Sequence, residues 1–570
     1  MKKRVAVSSP PLSIWEPTIE ALSGLAEILA PTQKAEQGWD AFVDALNRFI
    51  ASEEAAQLME RVHAQVRENP SRSFIGWLQN QAYLHCAATR VLPDRNFVFT
   101  TPGDMGDAEL IHRMVKLSQH VQEALPKAGV PACPAQYANI FGYFAQPLAD
   151  RYEPIQTPHS QHITVFYHGQ CYSLTVIEDG TPISAARIEK ALNDIRHRTA
   201  TPDAPSIGPL TWLNRDQQAR AWDPLRQLNH TAVEAVETAL FTVCLDDETT
   251  EEPLHHDLVG PANNRLHNQT QLICRPGHHA FNIEHSGVDG TTWLRVIEWL
   301  RLLSEDHVQE DAAEEAPAKV DPLSWQFDDT LTEAIASGLR QYQDRNGSLV
   351  TEEVTITHPN LEAIKACGVS PDALIQVVMQ LAYLRTCSTP PKLSYESINL
   401  RSTFWGARTA AGMPLTDEVV ALNKAWKRDT GDRLALLKTA LGAHTKRCAA
   451  YRQNGSPYRL LQALRWAAQQ PESAFSGQEF PFLNHPFLAP LDDLGLSTSN
   501  CSSDDIQTFG FHPDGAQIGI GYRLNGELKF CLTTDPSNAK FLAAFIEAFK
   551  DCLTQCMQLL LPVPVPIKAG

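Results

Sequence analysis

The residues of this chain best suited to chemistry are His285 and Asp289, four positions apart in the heptapeptide EHSGVDG that runs from Glu284 to Gly290. Imidazole has an ordinary pKa near neutrality, so a histidine held in place is the natural base for taking a proton from a hydroxyl, typically worth about 10² to 10⁴ in rate. A carboxylate four residues on can orient that ring or its loop. The plainer alternative is a core histidine beside an aspartate that caps the following helix. Far downstream, Ser497, Thr498 and Ser499 follow Leu496. Such a run can close a turn. It can also supply a donor to the negative oxygen that develops when a carbonyl is attacked, an effect of about 10² to 10³ per well-placed donor. A base and an oxyanion donor together suit acyl transfer from a thioester to an alcohol.

Both groups need rigid elements to hold them. A strand is predicted from His279 to Ile283, leading into the heptapeptide, and a helix from Thr292 to Leu303, leading out. Upstream, residues 14 to 90 carry apolar side chains at helical spacing. From about 160 the texture changes to strands: HITVFYH and CYSLTVI around His168-Gly169-Gln170, then ALFTVCLD, QLICR and HHAFNIEH. Helices separate them, so the class is α/β rather than all-β. Glu305 to Lys319 is acidic and alanine-rich and reads as a solvated linker. In the second half, Asp372 to Arg385 is apolar on nearly every side and predicts a buried helix. A hairpin over 516–533 turning at Asn525-Gly526 and a long final helix close the fold.

At 570 residues the chain calls for two large domains. Its hydrophobic content of 43% and charged content of 20% are ordinary for a soluble globular protein. The formal net charge of −18 argues against a nucleic-acid partner. The 12 cysteines show no CxxC pairing, which fits reduced thiols. With no signal peptide and no apolar run long enough for a membrane span, a cytoplasmic location is expected. His255-His256 and His278-His279 are adjacent pairs, which on a strand point to opposite faces, so no resident metal is expected.

EHSGVDG together with LSTS resembles the carnitine/choline acyltransferase family. H-x-x-x-D-G also occurs in chloramphenicol acetyltransferase and in peptide-synthetase condensation domains, but the latter carry a second histidine where this chain has Glu284. YESINLRSTFWGART, Tyr395 to Thr409, resembles the family's Tyr-Glu-Ser stretch that reaches Gly-Arg-Thr, with Ala407 inserted so that Arg408 and Thr409 match after a one-residue shift. Arg459 stands where the family has the arginine of Phe-Asp-Arg-His-Leu, with Leu460 in place of the histidine. SPDALIQ, from Ser370, is similar to the family's SPDAFIQ. Of the two lysines that precede it there, Lys365 is kept and Leu361 replaces the other. QYANIFG, SQHITVFYHGQCYSLTV and FGFHPDGAQIGIGY extend the resemblance over nearly the whole chain. NRLHNQTQ departs from it, with Leu266 where the family has tryptophan.

The resemblance implies two chloramphenicol-acetyltransferase-like domains with an active-site tunnel between them: residues 1–90 a helical segment packing on the core, 91–335 the domain with the catalytic histidine, and 336–570 the domain with the coenzyme A, carnitine and Ser-Thr-Ser elements. It implies His285 as base, Asp289 as its orienting group and Ser499 as oxyanion donor. Tyr395, Thr409, Arg459, Ser497 and Thr498 would bind the acceptor, and Lys365, Ser370 and Asp372 the coenzyme A. Coenzyme A and acyl-CoA are co-substrates, no cofactor is held permanently, and a monomer acting on small molecules is expected. Carnitine carries a carboxylate that choline lacks, and Arg459 with Thr409 is the carnitine-type arrangement. Gln507, aligned on Phe509-Gly510, is neither small nor apolar and implies a short- or medium-chain acyl group. Choline or another acceptor, and a catalytically weakened relative that binds acyl-CoA or a protein, stay open at this point.

Overall fold

The computed structural model describes residues 16–68, 73–85, 91–124, 134–198, 205–303, 316–400, 406–469, 480–513 and 515–561. Two sheets organise them. The first has eight strands in the order Val320–Leu323, Gln170–Thr175, His162–Tyr167, Thr242–Leu245, Gln271–Arg275, His278–Ile283, Phe97–Pro102 and Thr508–Phe511. The second has six, in the order Val350–Ile356, Glu527–Thr534, Ala516–Asn525, Leu494–Asn500, Leu393–Asn399 and Thr409–Gly412. Each mixes parallel and antiparallel pairs and is flanked by helices, the α/β class expected from the alternation of strand and helix patterns. The predicted hairpins form: His168 and Gly169 both take positive φ between their strands, and Asn525 pairs with Glu527 across Gly526.

The helix Pro371–Thr386 is buried from Ala373 through Leu384, as its all-round apolar sequence requires. Its two interior amides are Gln376 and Gln380. The former donates from Nε2 to Thr498 Oγ1 and Tyr522 Oη, each at 2.9 Å, so a polar group in the core ties the helix to the sheet. Leaving such a buried partner unmatched costs about 1–3 kcal/mol.

Two features run across the expected boundaries. Position 335/336 falls inside the helix Asp329–Asn346, whose Leu331 and Ile335 pack with Leu210 and Trp222 of the first half. The helix therefore extends the first domain rather than opening the second. More consequentially, Thr508–Phe511 leaves the second half and pairs antiparallel with Phe97–Pro102 as the edge of the eight-stranded sheet. Gly521 permits that crossing. A Cβ built there would lie 2.2 Å from the Phe509 carbonyl oxygen, so no side chain fits beneath the strand as it passes.

The N-terminal helices Gly24–Gln33, Trp39–Ile50, Glu53–Glu68 and Phe74–Leu84 share one core with residues of the second half, including Leu393, Leu461 and Leu488. Residues 304–315, most of the predicted linker, lie outside the described residues, as does Arg401 of the YESINLRSTFWGART stretch. Among the described residues no helix is long and apolar enough to cross a membrane.

Candidate active site

The strand His278–Ile283 delivers His285 into a loop, and the helix Gly290–Leu302 leaves it, as the local patterns predicted. His285 Nδ1 lies 2.7 Å from the Val288 carbonyl oxygen. A carbonyl can only accept, so Nδ1 carries the proton and Nε2 keeps a lone pair. The ring lies between aromatic faces, with Tyr83 at 4.6 Å and Phe97 edge-on at 4.7 Å between centroids. Burial, reinforced by the nearby Arg408 guanidinium, pulls its pKa down to about 4, so the imidazole is neutral at physiological pH.

Asp289 does not touch the imidazole. It occupies the helix N-cap position, yet its carboxylate makes no cap. Instead Oδ1 accepts from Arg408 Nε at 2.9 Å and Nη2 at 2.8 Å, and Oδ2 accepts from Gln136 Nε2 at 2.9 Å. Arg408 also donates to the carbonyls of His285 and Ser286, both at 2.7 Å. Through Arg408, Asp289 is tied to the carbonyls of the His285 loop rather than to the ring itself. Arg408 is buried and arrives from the other half of the chain. Its neighbour Ala407, the insertion, is accommodated inside the core.

His285, Asp289, Ser499, Ser497, Thr498, Tyr395, Thr409 and Arg459 all line one cavity of about 490 Å³. Ser497 and Ser499 share a face of the strand Leu494–Asn500, and Thr498 between them points the other way. Thr498 also belongs to the lining, and its hydroxyl donates to the Tyr395 carbonyl at 2.9 Å and accepts from Gln376, which fixes the strand. Ser499 and Cys501 both stand in the cavity lining. Arg459 Nη2 donates to Tyr395 Oη at 3.0 Å with the guanidinium over the Tyr395 ring.

The coenzyme A expectations meet the structure differently. Lys365 is exposed and paired with Glu362 at 2.9 Å, and Ser370 caps its helix by accepting from Ala373 N. Neither lines the cavity, and nor does Asp372. Asp372 is one step away, accepting from Asn500 Nδ2, a cavity residue, at 2.8 Å and from Tyr522 Oη at 2.7 Å. Gln507 also lies outside the lining, its main-chain N–H donating to the Thr100 carbonyl. The apolar side of the cavity is instead Phe97, Gly290, Cys501, Phe509 and Phe511. A second cavity of about 590 Å³ adjoins it, sharing Asp94, His512 and Gly515.

Sequence reasoning missed the contribution of the helix Phe74–Leu84. Gln79 Nε2 donates to Thr409 Oγ1 and Gln79 Oε1 accepts from Thr409 N, both at 2.9 Å, while Tyr83 packs on His285 and lies under the guanidinium of Arg408 at 4.6 Å. It also missed Gln136 and gave Arg408 no role. The signal was available for both, since Gln136 opens QYANIFG and Arg408 sits in the Gly-Arg-Thr match. The tempting histidine pairs are held by carboxylates: His256 by Asp246, His278 by Asp257, His279 by Asp107.

Residues 17–555 match the family model described as choline/carnitine O-acyltransferase. Among curated proteins, carnitine O-palmitoyltransferase 2 of Xenopus tropicalis is 26% identical over 451 residues, covering 74% of this chain and 65% of that protein. Human carnitine O-acetyltransferase is 24% identical over 595 residues, covering 91% of each. Among solved structures, the condensation domain of the enacyloxin polyketide synthase aligns over 93% of the chain at 12% identity with a TM-score of 0.37.

Proposed function

Because the chain belongs to the choline/carnitine O-acyltransferase family, we propose that it moves a short- or medium-chain acyl group reversibly between coenzyme A and the hydroxyl of carnitine. The observation that carries the acceptor is Arg459. Its guanidinium lines the cavity and hydrogen-bonds only neutral partners, Tyr395 and Gln462, with no carboxylate in ion-pair range among the described residues. A cation left without an acid in a chain of net charge −18 is what an acceptor carboxylate would meet. Thr409, held by Gln79, and Tyr395 stand beside it in the lining.

In this reading His285 Nε2 takes the proton of the carnitine hydroxyl as its oxygen attacks the thioester carbonyl carbon. The carbonyl oxygen becomes an oxyanion that accepts from the Ser499 hydroxyl. As the C–S bond breaks, the coenzyme A thiolate recovers the proton from His285, and the product is the carnitine ester. Neither residue is acylated, and both end as they began. The low pKa of His285 keeps Nε2 available as a base. It also makes the imidazolium a strong acid, quick to return the proton. The acyl group would lie along Phe97, Phe509 and Phe511, and the Gly290–Cys501 approach would bound its depth.

The test is thiol release from acetyl- and octanoyl-coenzyme A with carnitine or choline, in wild type, His285→Ala and Arg459→Gln. Carnitine-dependent release should vanish with His285→Ala. Arg459→Gln should raise the KM for carnitine on the order of 10- to 100-fold, the worth of one charge-assisted hydrogen bond. An unchanged carnitine KM in Arg459→Gln would sink the acceptor assignment. No release with carnitine, from protein that still binds coenzyme A, would sink the reaction.

A further inference from the structure

Three chemistry-bearing side chains converge at a buried point outside the cavity. Glu396 follows Tyr395 on the strand Leu393–Asn399. Successive strand residues point to opposite faces, so Tyr395 reaches the cavity while Glu396 reaches the helix Arg433–Asn454 behind it. His444 and Cys448 stand four apart on that helix and share one face. Glu396 Oε2 lies 2.8 Å from His444 Nε2, His444 Nε2 lies 3.6 Å from Cys448 Sγ, and Cys448 Sγ lies 3.9 Å from Glu396 Oε2. All three residues are buried, at 6, 4 and 7% exposure.

We propose that Glu396, His444 and Cys448 bind a single zinc ion that pins the acceptor-bearing strand to this helix. A carboxylate, an imidazole and a thiolate form a mixed oxygen, nitrogen and sulfur donor set of the kind zinc takes. Bonds of roughly 2.0 to 2.3 Å in tetrahedral geometry set neighbouring ligand atoms roughly 3.3 to 3.7 Å apart. Both edges that include sulfur already fall within a few tenths of an ångström of that range. The Glu396–His444 edge, a hydrogen bond in this structure, opens by about 0.5 Å when the ion replaces the proton between them. Charge balances: the thiol proton and the proton shared by Glu396 and His444 leave, and one divalent cation enters. The fourth position is left to a water.

The other cluster of this type, Asp107, Cys274 and His279, is a poorer site. There Arg196 already supplies a cation to Asp107 Oδ2 at 2.5 Å, and His279 takes Oδ1. No lysine or arginine ion-pairs with Glu396 among the described residues. Because the site is closed to solvent, the ion is taken up as the chain folds, and its binding energy becomes folding energy. The role is structural: Tyr395 and Ser397 line the acceptor side of the cavity on the strand that the ion would anchor.

The experiment is to express the full chain in medium supplemented with zinc or with cobalt, pass it over a chelating resin, and measure metal per chain and the thiolate-to-cobalt charge-transfer absorption. Wild type should keep about one ion per chain and show the band. Cys448→Ser, nearly isosteric, should lose both, and Cys274→Ser should keep both. Zinc should raise the Tm of wild type and leave that of Cys448→Ser unchanged. A cobalt protein with no thiolate band, or equal metal content in wild type and Cys448→Ser, overturns the site. Loss of the band in Cys274→Ser instead moves the ion to the other cluster and overturns it equally. Should Cys448→Ser fail to fold, the wild-type cobalt spectrum and metal content decide alone.

Discussion

Arg408 donates from both Nε and Nη2 to one oxygen of Asp289, at 2.9 and 2.8 Å, so the carboxylate four residues after His285 is committed to a guanidinium from the far half of the chain. Breaking a buried pair by removing one partner costs about 3–5 kcal/mol, because the other charge is left uncompensated. Arg408→Met should therefore lower stability by that order and kcat by about 10² through displacement of the base. Adding Asp289→Leu should restore much of the stability, since no charge is then stranded, and little of kcat. Denaturant melts and acyl-transfer rates on the single and double variants separate the two effects. Equal recovery of both would mean that the pair serves only folding.

The pKa of His285 predicts an acid limb far below the usual histidine range. Activity limited by a neutral Nε2 should hold as pH falls through 6.5 and decline only toward about 4 in kcat/KM. The sign for stability is the opposite of a salt-bridged histidine. Between 6.5 and about 4 the unfolded chain binds a proton at this residue that the folded chain refuses, so stability drops as pH falls across that window and His285→Gln should flatten the slope. In Arg408→Met the acid limb should move upward, since one repelling cation is gone. A wild-type limb at about 6.5 would contradict this.

Gln79 grips Thr409 at both its hydroxyl and its main-chain N–H. Gln79→Ala should raise the KM for the acceptor by about tenfold, the worth of one or two hydrogen bonds, and leave the KM for acyl-CoA unchanged. Gln79→Glu, which keeps the acceptor atom but loses the donor, should fall between. A matching rise in both KM values would mean general damage to the helix Phe74–Leu84.

At Gly290 an added Cβ would lie 3.0 Å from Cys501 Sγ and 3.5 Å from Phe99 Cζ. Gly290→Ala should therefore cut activity on octanoyl-CoA more than on acetyl-CoA, and Cys501→Ala should shift preference toward the longer chain. Because the two substitutions change the same space in opposite directions, their effects should offset each other. The double variant should return near the wild-type chain-length ratio, measured as kcat/KM for the two thioesters. An unchanged ratio in both single variants would place the acyl group elsewhere.

The heptapeptide and its flanking strand and helix were legible because they are local: alternation before His285 and helical spacing after Asp289 need no tertiary information. The hairpin at Asn525-Gly526 and the buried helix Pro371–Thr386 were readable for the same reason. What the chain hid is what distant segments contribute. Nothing near Gln79 or Tyr83 marks a catalytic neighbourhood, since an amphipathic helix reads the same whether its flank meets solvent or a cavity. Thr498 lines the cavity with its two neighbours, but the run could not show that its hydroxyl is bonded to Tyr395 and Gln376. Lys365, singled out by its register before Ser370, is paired with Glu362 at the surface.

The strand Thr508–Phe511, lent by the second half to the sheet of the first, has a consequence for how the protein comes into being on the ribosome. Residues 91–335 can emerge and begin to collapse, but their sheet ends in an open edge at Phe97–Pro102 until Thr508–Phe511 has been made, roughly 175 residues later. The nascent chain must keep that edge from pairing with other chains in the meantime. His285 and the hydroxyls of Ser497 and Ser499 are thus joined late in synthesis, and a chain that stops short of residue 497 has an unsealed sheet and neither serine.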